Sequence, residues 1–269
     1  MMAVVEVTAE VDERPGWRAV GLPSEHGGWG LTLEPVLLGL LAAWSVAGAA
    51  LGVAAFLAFL VRTAAKLVAV DVRRRRWLGR SQLALRIATV EAAVLLAAIA
   101  VATVVSGLGW LVPVLVASPL VAVEVWFEVR SRGRRLVPEL CGAVAVASVS
   151  ASIVIAAGAG GRLAAGVWLV LAARVVGAIP FVRVQIFRLR RGTGVVWHSD
   201  VAQLVAVAVA LVAVVVDRRL AAGATVVGVL AVVQSVWVRR APMPAKRIGV
   251  RQMVIGLVLV AVSAVGILV

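Results

Sequence analysis

The sequence predicts an all-α fold, a polytopic membrane bundle of about nine transmembrane helices. Three observations carry this. Of the 269 residues, 63% are hydrophobic, they fall in long runs parted by short charged loops, and every second loop is basic. A soluble core cannot hide that much apolar surface. Lipid permits only helices or closed barrels, and a barrel strand would alternate polar and apolar, whereas these runs are continuous. Their valine content favours strands in water, but runs of roughly 20 residues have the length of a membrane-crossing helix.

The chain divides into a mixed, partly acidic segment, residues 1–28, and one transmembrane helical domain, residues 29–269. The first segment has no apolar stretch followed by a cleavage site, so no removable signal is expected. Span 29–47 follows Ser24-Glu25-His26-Gly27-Gly28-Trp29-Gly30 and contains Glu34-Pro35. Span 50–71 carries Arg62 and Lys66 and ends on Asp71. Span 82–105 holds Glu91, and span 109–128 holds Glu124 and Glu128, four apart and on one face. Span 136–157 contains the lone Cys141, for which packing is the default role, and it ends at a glycine-rich turn. Span 163–184 carries Arg174 and Pro180, whose missing N–H predicts a kink and an opening beside it. Span 200–216 begins at His198-Ser199-Asp200 and contains Gln203. Spans 220–238 and 251–268 complete the set.

Charge then orients the bundle. Arg73–Arg76 and Arg80, then Arg130 to Arg135, then Arg183 to Arg191, then Arg239 to Arg251 form four basic loops in alternate positions; the intervening loops hold only Arg162, Arg218 and Arg219. The positive-inside rule places the basic loops and the N-terminus in the cytoplasm. Trp29, Trp77, Trp110, Trp197 and Trp237 sit near span ends, as interfacial anchors do. The 27 Lys and Arg against 13 Asp and Glu fit this rule, or an anion-binding protein. They do not suit nucleic acid, because the clusters are short and separated by apolar spans.

An ionisable side chain inside lipid costs roughly 2.5–3.5 kcal/mol on insertion scales, so each needs a partner or a purpose. Arg62 and Lys66 share a helix face and repel each other. With Arg174 and Arg183 they are the candidate cations of a cavity facing the cytoplasm, with Glu25, His26 and Asp200 at its mouth. The competing reading is a structural ion-pair network, with Glu34, Glu91, Glu124 and Glu128 as counter-charges, or Lys66 and Arg62 snorkelling to the interface. Glu25 and His26 also suit a plain helix start with Ser24 as its cap. Two histidines without ligand spacing do not make a metal site, and no metal or cofactor is expected.

SEHGGWGLTLEPVLLG, RVVGAIPFVRVQIFRLRRG and PAKRIGVRQMVIGLVLV resemble the YwiC-like family of bacterial membrane proteins. That likeness implies a multi-pass protein of the inner, cytoplasmic membrane. The nine-span pattern, with polar stretches after the second and sixth spans and Glu34-Pro35 in the first, is similar at greater distance to the UbiA superfamily of intramembrane prenyltransferases. The resemblance implies two aspartate-rich motifs that hold magnesium for a prenyl diphosphate. Here the first region, Arg62 to Asp71, has one acid, and the second, Arg183 to Gly192, has none. Metal binding and prenyl transfer are therefore not carried over. Guanidinium and ammonium groups hold phosphate without metal, so the expected partners are membrane lipid and an anionic or isoprenoid-phosphate-like ligand. The alternatives are an atypical UbiA-like transferase and a non-enzymatic transport or assembly factor.

Overall fold

The computed structural model describes residues 16–23, 26–130 and 135–269, the side chains of Ala19, His26 and Gly27 excepted. All regular structure among them is helical: α1 (Trp17–Gly21), α2 (His26–Ala42), α3 (Val46–Arg73), α4 (Gly79–Ser106), α5 (Leu111–Val129), α6 (Leu136–Ala156), α7 (Gly161–Arg191), α8 (Trp197–Val216), α9 (Ala221–Trp237) and α10 (Ala245–Leu268). A single 3-10 turn, Arg218–Leu220, leads into α9. The eight helices from α3 to α10 are long and apolar enough to cross a membrane. The ninth expected span is α2, apolar but 17 residues long, about 25 Å.

Helices α2, α6, α7, α8, α9 and α10 form a closed ring, each packed on the next and α10 returning to α2. Helix α7 also touches α2, α9 and α10 and is the most buried helix. The α3/α4 hairpin leans on α6 and α2 through α3, and α5 is attached through α6. Helix α4 packs on α3 and buries few residues on the outside of the bundle, which suits a helix solvated by lipid rather than water.

The helix ends follow from local chemistry. Ser45 caps α3 by accepting from Gly48 N at 2.9 Å. Asp71 ties the α3–α4 turn: its carboxylate accepts from Arg80 Nη2 at 3.0 Å and Ser81 Oγ at 2.8 Å. Between α6 and α7, Gly158 (φ 72°) and Gly160 (φ 96°) take left-handed conformations open to glycine. Asp217 caps the 3-10 turn, and its bonds from Arg219 Nη2 at 2.7 Å and Nε at 3.0 Å hold its carboxyl below the usual carboxylate range.

Pro180 is buried within α7, which is helical without interruption from Gly161 to Arg191. The lost N–H frees only the Val176 carbonyl, and the tight packing of α6 and α8 on both sides holds the helix together. Trp110 is not an exposed interfacial anchor. It is 7% exposed, packed with Val36, Leu51, Ala102 and Ile153, and donates from Nε1 to Thr103 Oγ1 at 3.3 Å. Trp77 and Trp197 are exposed as expected.

The main apolar core joins Leu38, Val154, Val167, Leu171, Val227 and Leu259 and fills the half of the ring away from the basic loops. Small residues let its helices approach. A Cβ on Gly39 would stand 2.9 Å from Ile153 Cβ and 3.1 Å from the Ser150 carbonyl. Gly39→Ala is therefore expected to cost about 1–3 kcal/mol in detergent unfolding experiments. Gly228→Ala, whose Cβ meets nothing within 4 Å, should leave the transition where it is.

Candidate functional site

Two charged regions emerge, and they involve different helices. The first lies between α3 and α5. These helices do not pack on each other; α6 packs on both. Away from the basic loops, the Trp110 cluster closes the gap. Toward the basic end, charged side chains span it. Arg62 Nη2 lies 2.9 Å from Glu124 Oε1 and 2.8 Å from Glu128 Oε2, and Lys66 Nζ lies 2.9 Å from Glu128 Oε1. The side chains of Arg62 and Lys66 are 55% and 65% exposed. Spacing of four residues on each helix puts both cations opposite both acids. Glu124 is further fixed by lying flat on α6, where a Cβ at Gly142 would come within 2.6 Å of its carboxyl.

The second region is inside the ring. Arg174 of α7 is 6% exposed and Glu34 of α2 is 4% exposed. Arg174 Nη2 is 3.9 Å from Glu34 Oε1 and donates to the Gln252 carbonyl of α10 at 2.8 Å. Glu34 fits because α10 carries glycine opposite it: a Cβ at Gly256 would overlap the Glu34 carboxyl. Gln203 of α8 donates from Nε2 to the Gly177 carbonyl and to Gln234 Oε1, both at 3.0 Å.

The remaining predicted site residues lie nearer the basic end. Arg183 Nη1 meets Glu139 Oε2 of α6 at 2.7 Å. Asp200 accepts from Arg239 Nη1 at 2.9 Å and Nη2 at 2.7 Å, which raises the affinity of that guanidinium for its proton. Glu25 lies outside the described residues, and so does the side chain of His26, which opens α2. Among the described residues, then, Arg62 and Lys66 share one place, while Arg174, Arg183 and Asp200 each meet a separate partner. Helices α2 and α6 lie between α3 and α7, so the cations of those two helices are not gathered in one hollow. Sequence reasoning missed Glu139, Arg239, Gln234 and Gln252. Their signal was a polar side chain at the edge of, or within, an apolar run.

The acid that the UbiA likeness places after the second span is Asp71, and it is occupied by Arg80 and Ser81 at the α3–α4 turn. With fold and charges in place, the class is a multi-pass helical membrane protein in which Arg62, Lys66 and Arg174 meet acids on other helices. Residues 22–154 match the family model described as YwiC-like protein, so from α2 through most of α6 the chain is similar to that family. The Arg62–Lys66–Glu124–Glu128 cluster falls wholly inside that stretch; Arg174, Asp200 and Gln252 fall beyond it. No curated protein and no solved structure matches the chain, so the likeness to the UbiA superfamily rests on the sequence pattern alone.

The two regions differ in what they stabilise. Arg174→Ala leaves Glu34 as an uncompensated buried charge and is expected to cost about 3–5 kcal/mol. Arg62→Ala, at a half-exposed pair, should cost about 0–1 kcal/mol. Replacing both partners, Glu34→Leu with Arg174→Met, should recover most of the larger loss. Unfolding of the purified protein in mixed micelles measures all three.

Proposed function

We propose that the chain is a lipid-binding protein of the bacterial inner membrane, with its basic loops in the cytoplasm, and that the gap between α3 and α5 takes the anionic headgroup of a phospholipid or an isoprenoid phosphate. One observation carries the reading: two cations, more than half exposed, stand side by side within the span between helices that do not pack together. Arg62 and Lys66 offer five and three N–H donors, more than Glu124 and Glu128 engage. A phosphate entering from the inner leaflet has its alkyl chain in lipid and its oxygens within reach of both groups, without metal. The apolar flanks of α3 and α5 suit a chain, and the Trp110 cluster bounds its depth. Glu128 is the group that a bound phosphate displaces, being shared by Arg62 and Lys66. The reading assigns no chemical step, and it favours a binding, transport or assembly role over a transferase with an atypical site.

Native mass spectrometry of the protein extracted in mild detergent tests this. The wild type is expected to retain phosphate-bearing lipid. Arg62→Ala with Lys66→Ala should retain roughly 10- to 100-fold less, the loss of one or two charge-assisted hydrogen bonds. Adding back phosphatidylglycerol or undecaprenyl phosphate separates the two headgroup sources. If the double variant holds the same lipids as wild type, the four charges are a structural bridge and the proposal fails.

A further inference from the structure

The buried region inside the ring carries an inference independent of the lipid site. Its polar groups are incompletely satisfied by protein. Arg174 Nε and both amide atoms of Gln252 are buried without a hydrogen-bond partner in the protein, and so, nearer the basic end, are Ser199 Oγ and Gln185 Oε1. Arg174 is 6% and Gln252 9% exposed. A cavity of about 10 Å³ opens beside Arg174, Gly177, Gln203 and Gln234, room for about one water molecule. Ser199 and Gln203 are one turn apart on α8, on the face that meets Gly177 of α7. The unsatisfied groups therefore run from the basic end toward Glu34.

The chemistry of these groups selects the occupant. Glu34 and Arg174 cancel in charge, so the site favours neither a cation nor an anion. Unmet donors (Arg174 Nε, Gln252 Nε2) and an unmet acceptor (Gln252 Oε1) are buried on α7 and α10, and a further acceptor, Gln185 Oε1, lies about 16 Å along α7 toward the basic end; water satisfies both kinds at once. On the other side Leu38, Val154, Val167, Leu171 and Leu259 fill the ring beyond Glu34, with the hydroxyls of Ser152 and Ser263 buried singly among them. The charges around the carboxylate are few. Helix α7 presents Arg174, which α10 holds by the Gln252 carbonyl, and α10 presents Gly256. The charged groups of α3 and α6 are engaged elsewhere, Arg62 and Lys66 with α5 and Glu139 with Arg183.

We propose that Glu34 is a proton-binding site within the membrane, reached from the basic face alone through water held along Gln185, Ser199, Gln203, Gln234 and Arg174. A proton from the aqueous phase on that face binds a Glu34 oxygen. The ion pair then becomes a neutral acid beside a guanidinium that the Gln252 carbonyl still holds.

Infrared difference spectroscopy of the full-length protein in lipid tests the proposal. Buffer is stepped from alkaline to acidic, and then from H₂O to D₂O. The expected result is a protonated-carboxyl C=O band that grows on acidification, shifts in D₂O and is lost in Glu34→Gln. Gln203→Leu should keep the band and slow its D₂O shift by about tenfold. Should Glu34→Gln fail to fold, Glu34→Asp serves instead, because it moves the band rather than removing it. A wild-type spectrum without a Glu34 band, or with one that does not shift in D₂O, makes the carboxyl a sealed structural group and overturns the proposal. A D₂O shift as fast in Gln203→Leu as in wild type overturns the route.

Discussion

Arg174 can lie in the middle of this bundle only because another helix brings its opposite, and the placement of α2, α7 and α10 follows from that constraint. Arg174 is buried at the centre of the most enclosed helix. It requires Glu34 from α2 and the Gln252 carbonyl from α10. Those two helices lie at opposite ends of the chain and close the ring. Desolvating two such ions costs several kcal/mol each, and their attraction repays it only with close geometry and further hydrogen bonds. The pair is therefore better understood as fixing which helices meet than as a large net source of stability. Gly256, which leaves space for the Glu34 carboxyl, belongs to the same requirement.

The ring is built in two halves of different character. Beyond Glu34, alanine, valine and leucine pack through glycine contacts into an apolar core that also encloses Ser148, Ser150, Ser152 and Ser263. Toward the basic loops the interior holds glutamine and charge. In lipid there is no hydrophobic gain from bringing apolar helices together, so close van der Waals packing must hold the first half. Directional bonds between helices, such as Gln203 to Gln234 and Gln185 Nε2 to the Trp237 carbonyl at 3.0 Å, add to it in the second.

Much of this was legible in the amino acids alone. The nine apolar runs map one to one onto α2 to α10, although the first ends at Ala42 rather than 47 and the second opens at Val46 rather than 50, because hydropathy over a span is a property of the run itself. Their ends shifted where helices project past the apolar zone: α7 continues to Arg191 and α10 begins at Ala245, since arginine and lysine tolerate a helix in the interface. The charged residues stood out for the same reason, as exceptions in apolar runs. Their pairing did not, because it depends on which helices are neighbours. Glu124 and Glu128 fit Arg62, Lys66 or Arg174 equally well by residue type. Only the packing of α5 on α6 and of α2 against α7 assigns Glu34 to Arg174 and the α5 acids to α3. Glu139 and Arg239 were hidden for a related reason, lying at span edges where charge is ordinary. Trp110 misled because a tryptophan at a helix end suits an interface and a core contact alike.

Helix α5 has 19 residues, about 28 Å of helix, and α6 is its packing support. Helices α3 and α4, at 28 residues each, are about 42 Å long, more than a typical hydrocarbon thickness of about 30 Å, so they tilt or carry their charged ends into the interface. Bilayer thickness thus acts differently on the two sides of the gap: the long hairpin has length to spare and the short helix has none. The reach demanded of Arg62 and Lys66 is consequently a function of the host membrane's acyl-chain length as well as of the protein.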